Sequence, residues 1–109
     1  MSTRRVRIPL ESAIERSFLK KLKEWDLRFK TRKLNGRGYN SWPDRLVLGP
    51  DKFMCLIEFK RPVLGKVSPG QEELFDELEA LGHHVAIQDQ ADAALAYVQD
   101  LYDKWVWNA

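Results

Sequence analysis

The spacing of apolar residues changes repeatedly along this chain, and the order of the changes constrains its fold more than any other feature. Ile14, Phe18, Leu22 and Trp25 recur at helical spacing within residues 10–25, and Leu19 widens the stripe. Residues 27–34 alternate instead, as a strand does. Asn35 to Ser41 carries Gly36 and Gly38 and predicts a loop. Two more strands, 45–48 and 53–60, flank Gly49-Pro50-Asp51-Lys52, which predicts a hairpin; Pro62 ends the second of them. Ser68-Pro69-Gly70-Gln71 reads as a capping box with proline at the first helical position. The helix that follows would bury Leu74, Phe75, Leu78 and Leu81 and stop at Gly82. Val85 to Gln88 predicts a short strand, and Asp89 to Asp92 opens a last helix buried through Leu95, Val98, Leu101 and Tyr102. The order α-β-β-β-α-β-α predicts an α/β fold, a small mixed β-sheet flanked by helices.

A chain of 109 residues is one domain's worth. With 44% apolar and 31% charged positions, its composition is that of an ordinary soluble globular domain. The formal charge is only +2, which excludes a wholly basic, histone-like binder. Its distribution is uneven. Residues 1–37 hold 12 basic and 4 acidic side chains, whereas residues 67–109 hold 1 and 9. Either one side of the fold is a polyanion-binding face, or the two ends neutralise each other in space. The lone Cys55 lies in an apolar run and fits a buried role in a reducing cytoplasm. No apolar run approaches the ~20 residues that span a bilayer, so no membrane partner is expected. Arg4, Arg5 and Arg7 precede no apolar segment of the signal-peptide kind; residues 1–9 read as a basic arm.

Three ionisable groups fall on neighbouring strands. Asp44 opens the second strand after Pro43, and Glu58 and Lys60 end the third on one face, with Met54 and Leu56 behind them. The hairpin brings Asp44 near Glu58. Two carboxylates at short range repel unless a cation lies between them, and hard oxygen ligands suit Mg²⁺ or Mn²⁺. Glu15 is out of place, projecting into the apolar stripe of the first helix with Glu11 one turn earlier. It would either reach solvent or a basic partner, or serve as a metal ligand.

Pro43-Asp44 followed after 13 residues by Glu58-Phe59-Lys60 resembles the PD-(D/E)XK nuclease signature. Together with Glu15 on the first helix and Gln71 in Ser68-Pro69-Gly70-Gln71, it resembles the VRR-NUC (virus-type replication-repair nuclease) family over roughly residues 8–100. Where that family carries glycine two residues before the motif, this chain has Ser41. The resemblance implies a restriction-endonuclease-like fold. It also implies that Asp44, Glu58 and the backbone carbonyl of Phe59 bind the metal, with Glu15 a ligand directly or through water. Lys60 would position the attacking water, and Gln71 would hydrogen-bond near Lys60 or the scissile phosphate. The implied activity is metal-dependent hydrolysis of DNA, with Mg²⁺ or Mn²⁺ as cofactor. Small stand-alone members resemble phage proteins that act as homodimers on branched DNA such as four-way (Holliday) junctions.

Arg4, Arg5, Arg7, Arg28, Lys30, Arg32, Lys33 and Arg37 flank this motif and would supply phosphate-neutralising charge; Arg61, right after the lysine, would contact the phosphate backbone of DNA. Tyr39 and Trp42, just before the motif, would stack on an unpaired base or pack under the sheet. Trp105 and Trp107 would cover the core or form a subunit interface. Two rival functions share this fold: a non-catalytic nucleic-acid-binding module and a sequence-specific restriction-like endonuclease.

Overall fold

A tight hairpin sets the centre of the sheet. The computed structural model describes residues 7–36, 38 and 40–108. Strands β2 (Arg45–Leu48) and β3 (Met54–Phe59) pair antiparallel, with Arg45 opposite Ile57 and Leu48 opposite Met54. Asp51 and Lys52 turn the chain with φ of 59° and 62°, the paired left-handed residues of a type I′ turn, closed by the Phe53 N–H on the Pro50 carbonyl. Gly49 is required there. A Cβ at that position would come within 2.5 Å of the Phe29 ring.

Strand β1 (Lys30–Lys33) adds antiparallel to β2, and β4 (Val85–Gln88) adds parallel to β3, giving the order β1-β2-β3-β4. The parallel pairing needs a crossover, which helix α2 (Pro69–Ala80) provides. Helices α1 (Glu11–Trp25) and α3 (Ala91–Trp107) pack together on one face of the sheet. Ile14, Phe18, Leu22, Ala94 and Val98 meet Val47, Cys55, Ile57 and Phe59 there. Period-two alternation puts Leu56, Val85 and Ile87 on the opposite face, where α2 buries Phe75 and Leu78. Both faces of β3 are thus covered, and its last five residues are all buried.

The element order is the one expected from the sequence. The first strand is shorter than expected, because Asp26 accepts hydrogen bonds from the backbone N–H and the guanidinium of Arg28 and holds a turn that leaves Leu27 exposed. The third strand ends at Phe59, one residue early. Leu81, expected in the buried stripe of α2, is 75% exposed, since it caps the helix beyond the last turn that the sheet covers. Gly82 turns the chain away at φ 94°. Trp105 lies against Phe53 and donates its indole N–H to the Asp51 carbonyl, while Trp107 is exposed. Among the described residues no helix is long and apolar enough to cross a membrane.

Candidate active site

The site lies where β2 begins and β3 ends. Glu58 shares its face with Leu56 and Ile87, the face on which α2 packs. The first turn of α2 therefore reaches it. The Ser68 hydroxyl accepts from the Gln71 N–H and the Gln71 side chain accepts from the Ser68 N–H, a complete capping box. Capping pins Gln71 so that its Nε2 donates to Glu58 Oε2 at 2.8 Å while its Oε1 accepts from Lys60 Nζ at 3.1 Å. Lys60 Nζ lies 2.8 Å from Glu58 Oε2. The other Glu58 oxygen accepts from the Asp44 N–H at 3.1 Å. Asp44 Oδ2 in turn accepts from the Phe59 N–H at 2.7 Å, and its Oδ1 accepts from the Asn35 amide.

These groups are removed from water: Glu58 is 2% exposed and Asp44 7%. Burial drives the Asp44 carboxyl up from its usual value to about 7; the bond from the Phe59 N–H opposes the rise and the neighbouring Glu58 adds to it. Glu58 has the ammonium of Lys60 beside it. Among the described residues no ion pair is made by Asp44.

Glu15 is buried within the α1 stripe, and of its two alternatives the contact it makes is with a basic partner. Arg45 Nε donates to Glu15 Oε2 at 2.6 Å. Among the described residues no three acidic, histidine or cysteine side chains converge as a metal cluster. The carboxylates of Asp44 and Glu58 lie side by side, the Asp44 N–H bonding Glu58 Oε1. Hard buried oxygens in that number fit Mg²⁺ or Mn²⁺, which keep waters and take further ligands from substrate phosphate.

Arg45 and Asn35 escaped the sequence reading. Arg45 is the lone charge in an apolar strand, and a buried Glu15 needs a cation; each is a signal by itself, but neither names the other as its partner. Asn35 sits in a loop rich in such residues and carries no comparable signal. The basic residues are spread out. Lys33 and Arg32 are exposed on the edge strand, with Lys33 opposite Arg45 and the next residue, Leu34, donating its N–H to the Asp44 carbonyl. Lys30 lies at the far end of that strand, and Arg28 is paired with Asp26. Arg61 turns away from solvent: it donates to the Ile8 carbonyl, and its Nε is buried without a partner. Arg7, one residue before, is exposed there. Trp42 is half-exposed immediately before the Pro43-Asp44 pair, and Phe59 is fully buried. Arg4, Arg5, Arg37 and Tyr39 lie outside the described residues.

No protein-family model matches the sequence, and no curated protein matches it. A solved structure described as a VRR_NUC domain superposes with a TM-score of 0.66, covering 85% of this chain and 94% of that one at 22% identity. The chain has the VRR_NUC fold. Within the VRR_NUC fold of this chain, five polar residues meet at one end of the sheet: Glu15 from α1, Asp44 just before β2, Glu58 at the end of β3 with Lys60 after it, and Gln71 from the first turn of α2.

Proposed function

We propose that residues 1–109 work as one nuclease domain that hydrolyses phosphodiester bonds of DNA with a divalent cation. The preferred substrate is branched DNA such as a four-way junction, and the acting form is a homodimer. The observation that carries the reading is the buried, continuous hydrogen-bond network of Asp44, Glu58, Gln71 and Lys60. A structural role alone gives no reason to bury two carboxylates side by side, one of them at considerable electrostatic cost.

Asp44, Glu58 and the Phe59 carbonyl would hold Mg²⁺ or Mn²⁺, which supplies Lewis-acid charge to the phosphodiester when bound. Glu15 assists from α1. Lys60, fixed between Glu58 and Gln71, orients the attacking water and offsets the charge that develops on the pentavalent phosphate. Cleavage leaves 5′-phosphate and 3′-hydroxyl ends. Arg7, Arg32 and Lys33 neutralise backbone phosphates, with Lys30, Arg28, Arg4, Arg5 and Arg37 extending the path. Trp42, with Tyr39, stacks on a base freed at the branch point. Two symmetry-related sites suit a junction with two equivalent strands.

The test uses labelled four-way junction, flap and linear duplex with Mg²⁺ or Mn²⁺, beside Lys60→Ala with its fold checked by circular dichroism. Metal-dependent cutting of the branched substrates that vanishes in the variant is expected. Binding without cutting in either metal overturns the catalytic reading and leaves a binding module. Cutting of linear duplex at one fixed sequence overturns the structure selectivity. Light scattering is expected to return a dimer of the 12.8 kDa chain.

A further inference from the structure

Arg45 stands beside the motif yet has no part in the reading above. It follows Asp44 directly and opens β2. Its register with Ile57 places it on the face covered by α1, where Ile57 packs against Ile14 and Phe18. The guanidinium and the Glu15 carboxylate meet at 2.6 Å with side chains only 19% and 12% exposed. A pair so enclosed is held in one arrangement, and either partner alone would be a buried, uncompensated charge. Arg45 is the one cation bonded to Glu15 among the described residues. Among the described residues, the buried and half-buried charges at this end of the sheet fall into two pairs, Glu15 with Arg45 and Glu58 with Lys60, and an Asp44 that makes no ion pair.

We propose that Arg45 is a positioning residue, a resident counter-cation that competes with the divalent metal for Glu15 and so holds the site's metal affinity down. The proposal rests on the reading of Asp44 and Glu58 as metal ligands. A metal entering beside those two carboxylates meets a Glu15 whose charge is already neutralised. Glu15 joins the ligand set, directly or through water, only to the extent that Arg45 releases it. Removing the guanidinium leaves a third carboxylate free to face the cation. At an effective dielectric constant near ~20–40, one unit charge several ångströms from a divalent ion is worth about tenfold or more in affinity.

The experiment is Mn²⁺ binding to the full chain, by calorimetry and by loss of the free-ion electron paramagnetic resonance signal. It compares wild type with Arg45→Gln, Arg45→Lys, Glu15→Gln, the Glu15→Gln/Arg45→Gln double variant, and Lys33→Gln. Arg45→Gln is expected to bind Mn²⁺ about tenfold more tightly. Arg45→Lys, which keeps the charge but loses the Nε donor, tightens binding less and in the same direction. It remains measurable if Arg45→Gln does not fold. In the Glu15→Gln background, where no carboxylate is released, Arg45→Gln is expected to tighten binding less than it does in the wild-type background, and Lys33→Gln, which removes an exposed neighbouring cation, less still. Unchanged or weaker binding in both Arg45 variants overturns the proposal, as does equal tightening by Lys33→Gln. Wild type that binds Mn²⁺ while the variants behave this way leaves the metal-site reading standing. Absence of Mn²⁺ binding in every variant, wild type included, removes that reading and this inference with it.

Discussion

Asp44 is where the cost of the site is concentrated, and that cost is measurable without any substrate. Its carboxyl rises from an ordinary 3.8 to about 7 on folding, chiefly through burial. Between those pH values the folded chain keeps a proton that the unfolded chain gives up. Stability therefore falls as pH rises through that window and levels off above it. Asp44→Asn removes the charge while leaving an oxygen for the Phe59 N–H, and Asn35 can turn its own amide to match. In chelator, the variant is expected to melt several degrees above wild type near pH 8, with the gap closing near pH 4. Each ~1 kcal/mol moves the midpoint by about 4–8 °C in a domain of this size. A variant that melts lower than wild type at both pH values would show that the hydrogen bonds outweigh the buried charge. The neighbours of Asp44 were legible in unequal measure. Hairpin length and strand alternation bring Glu58 and Lys60 to it, because both rules are local. The contact between Glu15 and Arg45 spans 30 residues, and no local pattern carries the partner's identity.

Helix α2 shows how an element signal and a site residue become one feature. Its capping box was readable as a helix start, and the same Gln71 that completes it bonds Glu58 and Lys60. Ser68→Ala and Gln71→Ala each remove half of the box, so each is expected to cost about 1 kcal/mol of stability by thermal melting. Their effects on cleavage should separate. Ser68→Ala keeps the Ser68 N–H as donor to Gln71 Oε1, so activity is expected to stay within about threefold of wild type. Gln71→Ala removes the group that fixes Lys60 and is expected to lower cleavage about tenfold or more. Equal losses in the two variants would mean that Gln71 serves the helix and not the site. Element boundaries were less legible than element order. The first strand lost its expected residues to a side-chain turn at Asp26, and Leu81 lost its expected burial because the sheet ends before the helix does. Both outcomes depend on which neighbour covers a residue, and periodicity contains no such information.

Across the whole molecule, the uneven charge of the sequence left two outcomes open, a polyanion-binding face or mutual neutralisation, and the ion pairs bear on the second. Lys21 with Asp92 is the one salt bridge among the described residues that joins a base from residues 1–37 to an acid from residues 67–109. The other pairs are made within the first segment or with residues of the hairpin. Wholesale neutralisation by contact is thus absent there. The basic strand β1 forms one edge of the sheet, and Glu72, Asp76 and Glu79 of α2 border β4 at the other. Charges on an edge strand also discourage strand addition by another chain, so Lys30, Arg32 and Lys33 have a structural use independent of DNA. Salt dependence separates the two uses. Each phosphate contact releases counterions and adds close to ~0.9 to the slope of log affinity against log salt for duplex. Replacing Lys30, Arg32 and Lys33 together with Gln, in a Lys60→Ala background that prevents cutting, is expected to lower that slope by about 2, measured by fluorescence anisotropy on a labelled four-way junction. Lys33 and Arg32, nearest the Asp44 end of the strand, should account for most of it when replaced singly. A slope unchanged by the triple replacement, with affinity otherwise intact, would assign this strand to solubility alone and move the DNA path to the arm around Arg7.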